Sequence, residues 1–283
     1  MFWKIVTEMN NWGKKSADPA DKITSEEWEN HYKKLLNDSR PNIPLNMPAL
    51  ITFDPTLDGI ITAAELREAL ESIKPAKASG PDGILGEYLK VFGLMYEPIL
   101  LKLIQTIFVN HTYPDSWRIN FLKSIYKKGP DNDTNNYRGL AIGSIFGKLF
   151  SNVLLNRLMK HITEKGLISP NQIGFMKGQG TSDHIFLLQT IVEKVVKKQN
   201  KKLYTVFIDF KKAYDTVDRN LLIKRLLDLG INGIFLQNIA AMYNKIEYIV
   251  KLGKGNSNNI SSNLGLKQGC PLSPMLSICT LTT

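Results

Sequence analysis

The run Val206-Phe207-Ile208-Asp209-Phe210-Lys211-Lys212-Ala213-Tyr214-Asp215 is the stretch on which the fold turns. Val, Phe and Ile suit a pleated, half-buried surface, so Tyr204 to Phe210 is expected to be a strand. An Asp inside such a run is costly unless it is paired or bound to a cation. Asp209 therefore stands where a sheet could present a carboxylate to a metal. A strand-end Asp that caps a turn is the plain alternative. After Phe210 the pattern breaks into a basic, turn-like segment.

Charge points the same way. The 283 residues carry 36 Lys+Arg against 26 Asp+Glu, a formal net charge of +10. That balance favours a polyanionic partner, with nucleic acid ahead of a membrane surface. No apolar run approaches the ~20 residues of a membrane span, and Met1-Phe2-Trp3-Lys4 leads into polar sequence with no signal-peptide pattern. A hydrophobic share of 43% supports a buried core and argues against general disorder. Cys270 and Cys279 have no metal-ligand spacing and are too few to staple a chain of this size, which suits a reducing compartment.

Outward from the central run, local signals place the other elements. Thr24–Leu36 reads as an amphipathic helix, and Pro41, Pro44 and Pro48 as an extended linker. Ile61–Ile73 is a helix with a Thr62/Glu65 capping box. Helices are expected near Leu85–Phe92, Glu97–Asn110, Ser144–Ile162, Ser182–Lys198, Arg219–Leu229 (capped by Asp218) and Gly233–Asn244. A run ending Ser124-Ile125-Tyr126 and the run Tyr137–Ile142 look like a hairpin with a long basic tip. Ile246–Leu252 is a strand, followed by a Gly/Asn/Ser turn. The fold class is α+β, with helices packed on small antiparallel sheets.

Two stretches imitate other sites. Asp54–Glu65 nearly fits a calcium loop, but Thr56 weakens its third position and the prolines before it disrupt the helix the motif needs. Gly143-Ser144-Ile145-Phe146-Gly147-Lys148 resembles a phosphate loop. It is one residue short between its glycines, and Leu149 replaces the Ser or Thr that should follow the lysine.

Five stretches, in order, resemble the reverse transcriptases of non-LTR (LINE-type) retrotransposons. They are Lys77-Ala78-Ser79-Gly80-Pro81-Asp82-Gly83; Tyr126-Lys127-Lys128-Gly129 with Asn136-Tyr137-Arg138-Gly139; Gln172-Ile173-Gly174-Phe175 with Gly180-Thr181-Ser182-Asp183; Phe207–Asp215; and Gln268-Gly269-Cys270-Pro271-Leu272-Ser273-Pro274. The resemblance implies polymerase fingers at about 71–202 and part of a palm at about 203–283, truncated at its C-terminus, with 1–70 as a linker region carrying short helices. It implies an RNA-directed DNA polymerase that works by two-Mg²⁺ nucleotidyl transfer. Asp209 and the main-chain carbonyl of Phe210 would be metal ligands. Arg138, with Lys127 or Lys128, would clamp the triphosphate, for which a guanidinium fork is suited. Tyr214 would pack under the incoming sugar, and Gln268 and Gly269 would lie beside the nucleotide. Asp215 and Asp218 read instead as caps or ion-pair partners.

The implied partners are an RNA template, a DNA primer and deoxynucleoside triphosphates. Lys77, Lys197, Lys198, Lys201 and Lys202 fit backbone contacts with nucleic acid, and equally a solvated face. Family habit places synthesis in the cytoplasm and action in the nucleus. The family's other metal-binding carboxylates come from a Tyr-x-Asp-Asp hairpin, and no Asp-Asp pair occurs in this sequence. The polar ending Ser277–Thr283, where the family continues as an apolar helix, suggests a truncated chain that is inactive alone. The alternatives are a non-catalytic nucleic-acid-binding protein derived from a reverse transcriptase, a calcium-binding protein through 54–65, and, within polymerases, a group II intron type enzyme.

Overall fold

The computed structural model describes residues 18–37, 52–199, 201–253 and 255–281, so the proline linker at 41–48 and the final two residues lie outside the described residues. Its helices, in chain order, are α1 (Ser25–Leu35), α2 (Pro55–Asp58), α3 (Ala63–Glu71), α4 (Gly86–Met95), α5 (Glu97–Asn110), α6 (Ile145–Lys165), α7 (Thr181–Val192), α8 (Arg219–Asp228), α9 (Gly233–Tyr243) and α10 (Ser273–Leu281). The strands are β1 (Ile119–Tyr126), β2 (Tyr137–Ile142), β3 (Ile246–Leu252) and β4 (Gly255–Ser262). They form one sheet in the order β2-β1-β3-β4.

The α+β class holds, with one sheet of mixed direction. β1 and β2 pair antiparallel, as do β3 and β4, while β1 and β3 run parallel from Ile119 opposite Glu247 to Leu122 opposite Val250. Helices α6 to α9 occupy the chain between β2 and β3, and a long helical crossover permits a parallel pair that a tight turn cannot make. Period-two burial follows: Asn120, Leu122 and Ser124 of β1, and Ile246, Tyr248 and Val250 of β3, face inward.

Helix boundaries follow the predicted caps. Thr24 and Glu27 close a capping box on α1, and Thr62 and Glu65 close another on α3. Asp218 accepts hydrogen bonds from the Asn220 and Leu221 N–H groups. Helix α6 is the spine of the core, burying Leu149, Phe150, Val153, Leu154, Leu158 and Ile162. On α1, Trp28 stacks on Tyr32 with ring centroids 5.6 Å apart and meets Tyr137 edge-on at 5.0 Å. The N-terminal helices therefore share one hydrophobic core with the rest of the chain.

Three expectations fail. Tyr204–Phe210 forms no strand: it is irregular backbone outside the sheet, with Val206, Phe207 and Ile208 about four-fifths exposed. β-propensity describes a side chain's fit to a sheet, and among the described residues this run has no neighbouring strand to complete the fit. Gly255–Ser262, expected as a turn, is strand β4, because backbone pairing with β3 offsets a sequence whose apolar content is Ile260. Ser277–Thr283, expected as a polar ending, is helical as far as Leu281, the end of a helix Ser273–Leu281 that buries Met275, Leu276, Ile278 and Cys279.

The calcium reading also ends here. Asp54 caps α2 through the Thr56 and Leu57 N–H groups, and Asp58 accepts from the Asp54 and Phe235 N–H groups. Glu65 takes two hydrogen bonds from the buried Arg157 guanidinium, at 2.5 and 3.0 Å, which also donates to the carbonyls of Leu57 and Gly59. Burial raises the Glu65 pKa, but hydrogen bonds from Arg157 and Thr62 outweigh it and hold the carboxyl below its ordinary value. A carboxylate depressed in the folded state stabilises above its unfolded pKa and loses that contribution as pH falls through the folded value. Glu65→Gln should therefore cost about 2 kcal/mol at neutral pH, since it weakens a charged pair around a buried cation. Urea denaturation across a pH series should show the gap from wild type shrinking as the solution is acidified below the ordinary glutamate pKa.

Candidate functional site

Three segments meet at one junction. The N–H of Ala141, near the end of β2, donates to the Gln268 carbonyl at 2.7 Å. Leu266 N–H donates to the Tyr214 carbonyl at 2.8 Å, and Gly265 N–H to the Val217 carbonyl at 2.9 Å. Backbone hydrogen bonds thus join the fingers hairpin, the turn after Asp209 and the 264–271 loop.

The hairpin is built as its sequence predicts. Ile125 lies opposite Arg138 and Tyr126 opposite Tyr137, and Lys127 N–H continues the ladder to the Asn136 carbonyl at 2.9 Å. Its tip is closed by Asn136 donating to the Pro130 carbonyl, Tyr137 to the Asp131 carbonyl and Tyr126 to the Gly129 carbonyl. Lys127, Lys128 and Arg138 are exposed, and among the described residues no carboxylate forms an ion pair with any of them. A rigid hairpin thus offers unneutralised cations.

Residues 211–216 form a turn in which Lys212 adopts a left-handed φ of 56°. Tyr214 is half-buried against the core; burial raises its phenol pKa, and the nearby Arg138 charge opposes the rise. Burial likewise raises the Asp215 carboxyl, with Lys212, Lys127 and Arg138 pulling the other way. Both effects place the hairpin cations beside the 214–215 turn.

Gly269 has a φ of 127°, and a Cβ there would collide with the Ala141 carbonyl oxygen. Glycine lets the Gln268-Gly269 backbone lie against β2. Arg219, read from sequence as no more than the start of α8, is the missed residue of the site. It is 5% exposed and donates to the carbonyls of Gly265, Tyr243, Ser262 and Leu264 and to the Ser262 hydroxyl, at 2.7–3.2 Å. Its guanidinium fixes the loop that carries Gln268. The signal available in sequence was a single Arg directly after a capping Asp, which does not distinguish a buried hub from a solvated first turn.

Asp209 is not drawn into this junction by the sheet. It sits in the exposed, unpaired run with Phe210. Among the described residues no group of three His, Cys, Asp or Glu side chains gathers to hold a metal. Reverse transcriptases generally use a divalent metal, and the side chains gathered among the described residues do not complete a site for one.

A cationic hairpin lies near an aromatic turn and a glycine loop, with helices over a small mixed sheet. The chain belongs to the reverse transcriptase family: residues 125–283, more than half its length, match the family described as "Reverse transcriptase (RNA-dependent DNA polymerase)". Its relatives include proteins of transposons and retrotransposable elements. It is 27% identical over 220 residues to the "Transposon TX1 uncharacterized 149 kDa protein" of Xenopus laevis, covering 78% of this chain and 17% of that protein. It is 25% identical to the "Probable RNA-directed DNA polymerase from transposon BS" of Drosophila melanogaster, covering 76% and 24%. It is 28% identical to the "Retrovirus-related Pol polyprotein from type-1 retrotransposable element R2" of Popillia japonica, covering 76% and 29%. The chain thus spans less than a third of these relatives. A partial Cas6-RT-Cas1–Cas2 complex overlaps loosely, with a TM-score of 0.41 and 18% identity over 83% of this chain and 37% of that one.

Arg219→Lys should lower stability by roughly 3 kcal/mol, because an ammonium cannot serve the same fork and leaves buried carbonyls unpaired. Chemical denaturation measures it; a midpoint equal to wild type would show that the loop does not depend on the guanidinium.

Proposed function

We propose that this chain is the nucleotide-holding part of an RNA-directed DNA polymerase, with fingers over about 71–202 and part of a palm from about 203. Residues before 71 would link it to whatever precedes it. Lys127, Lys128 and Arg138 hold the triphosphate, the guanidinium pairing two phosphate oxygens and the ammoniums adding charge. Tyr214 lies under the sugar, and the Gln268-Gly269 backbone lines the other side. The observation that carries this reading is the junction itself. Hydrogen bonds from Ala141 N–H to Gln268 and from Leu266 N–H to Tyr214 bring three distant stretches to one place.

The net +10 charge supports a template and primer as further partners, bound mainly through phosphates. Action on nuclear DNA after synthesis in the cytoplasm accords with a mobile element. Asp209 and the Phe210 carbonyl are half of a metal site, because Mg²⁺ needs near-octahedral oxygen ligation from more groups than these. Nucleotide binding by the clamp therefore needs neither of these two ligands, whereas turnover needs further oxygen ligands beside them.

Photocrosslinking of a radiolabelled deoxynucleoside triphosphate tests the clamp. Arg138→Ala should weaken binding about 10-fold, a loss of ~1.4 kcal/mol. Tyr214→Ala should narrow the preference for deoxyribonucleotides over ribonucleotides. Unchanged crosslinking in Arg138→Ala would remove the hairpin from the site.

A further inference from the structure

The phosphate-loop-like run Gly143–Lys148 has a place the clamp does not use. Gly143, Ser144 and Lys148 line a cavity of about 220 Å³ together with Lys77 and Lys267. Lys127, Lys128, Arg138 and Asp209 do not line it, and no Asp or Glu does.

Lys267 is 4% exposed. Its ammonium has one polar partner, the Tyr113 hydroxyl at 3.4 Å, and lies 5.2 and 5.8 Å from the ring centroids of Tyr113 and Tyr243. Aromatic faces offset part of the cost of burying a charge, but no carboxylate among the described residues neutralises it. Lys148 is half-buried beside it. Burial pulls its pKa below the ordinary value, the Cys270 thiol opposes this, and Lys77 and Lys74 lower it further by repulsion. Four cations around one cavity with no counter-charge is an arrangement that an anion relieves.

Backbone supplies the same sign. The cavity floor is the N-terminus of α6, a 21-residue helix capped by Ser144, whose hydroxyl accepts the Phe146 N–H. Helix N-termini present N–H groups and a partial positive charge to anions. The Lys77 loop is held over this end because Gly80 has no Cβ; one would lie 2.8 Å from Ser144 N and closer still to the Gly143 carbonyl. Chain folding therefore converges a buried ammonium, a half-buried ammonium and a helix N-terminus on one space.

We propose that this cavity is a phosphate-class oxyanion site, held by Lys267, Lys148, Lys77 and the first turn of α6. The occupant is either a phosphodiester of a bound nucleic-acid strand or a free phosphate or pyrophosphate. The cavity adjoins the nucleotide clamp through Gly269, but its cations are not those of the clamp.

Cys270 lines the cavity and is partly accessible, while Cys279 is buried and serves as an internal control. The test follows iodoacetamide alkylation of Cys270 by mass spectrometry at constant ionic strength, with chloride, inorganic phosphate, pyrophosphate or a short single-stranded oligonucleotide added. Phosphate or pyrophosphate should slow alkylation at least ~5-fold if the free anion is the ligand; protection by the oligonucleotide alone identifies the phosphodiester. Lys148→Gln should raise the protecting concentration about 10-fold, and Lys77→Gln, on the exposed loop, gives the same reading should the first variant fail to fold. Equal rates in all four solutions, protection by chloride equal to that by phosphate, or undiminished protection in the folded variants would overturn the proposal. The readout does not need polymerisation, so it fails or succeeds apart from the clamp.

Discussion

Arg219 is a buried cation with no carboxylate beside it, and its solution to that cost organises the C-terminal third of the fold. A guanidinium has five N–H donors in a fixed plane, and here they meet four carbonyls and a hydroxyl. Those acceptors belong to the end of α9, the end of β4 and the 264–265 loop. Burial lowers the guanidinium pKa from its ordinary value, and the nearby tyrosines raise it only in part. From this anchor, Gly265 and Leu266 reach the 214–217 turn, and Gln268 reaches β2. Loss of the anchor would release Tyr214 and Gln268 from the hairpin together.

Arg157 plays a comparable part at the other end. It joins α6 to the N-terminal helices through Glu65 and two carbonyls. The two arginines are consumed internally, whereas the hairpin cations, with Asp215 near Lys127 and Arg138, and the lysines around the α6 N-terminus form no ion pair among the described residues. This division separates cations that hold the fold from cations presented to a ligand.

Much of the architecture was legible because its signals are local. Capping boxes at Thr24 and Thr62, the Asp218 cap, the hairpin and the β3 alternation depend on neighbours in sequence. What escaped depends on partners far along the chain. β4 is Gly-Asn-Ser-Asn-Asn-Ile-Ser-Ser, with little strand propensity, and exists because β3 pairs with it. Tyr204–Phe210 has strong propensity and no pairing, so it remains irregular and exposed. Helix α10 hid because Ser277 and Thr280 interrupt its apolar positions. The site divides in the same way. Backbone hydrogen bonds bring the stretch of Tyr214 to the 264–271 loop and that of Gln268 to β2, while the buried roles of Arg219 and Lys267 had no local signature. Asp209, the most conspicuous residue in sequence, is the one the fold leaves unsupported.

The proposed nucleotide clamp stands apart from Asp209, which lies exposed with no metal-binding group gathered around it among the described residues. Primer extension on an RNA template with the purified chain and Mg²⁺ tests that separation directly. The expected result is no DNA product under conditions in which a deoxynucleoside triphosphate crosslinks to the protein. DNA synthesis that Asp209→Asn abolishes would contradict it, because it would require a complete metal site within these 283 residues.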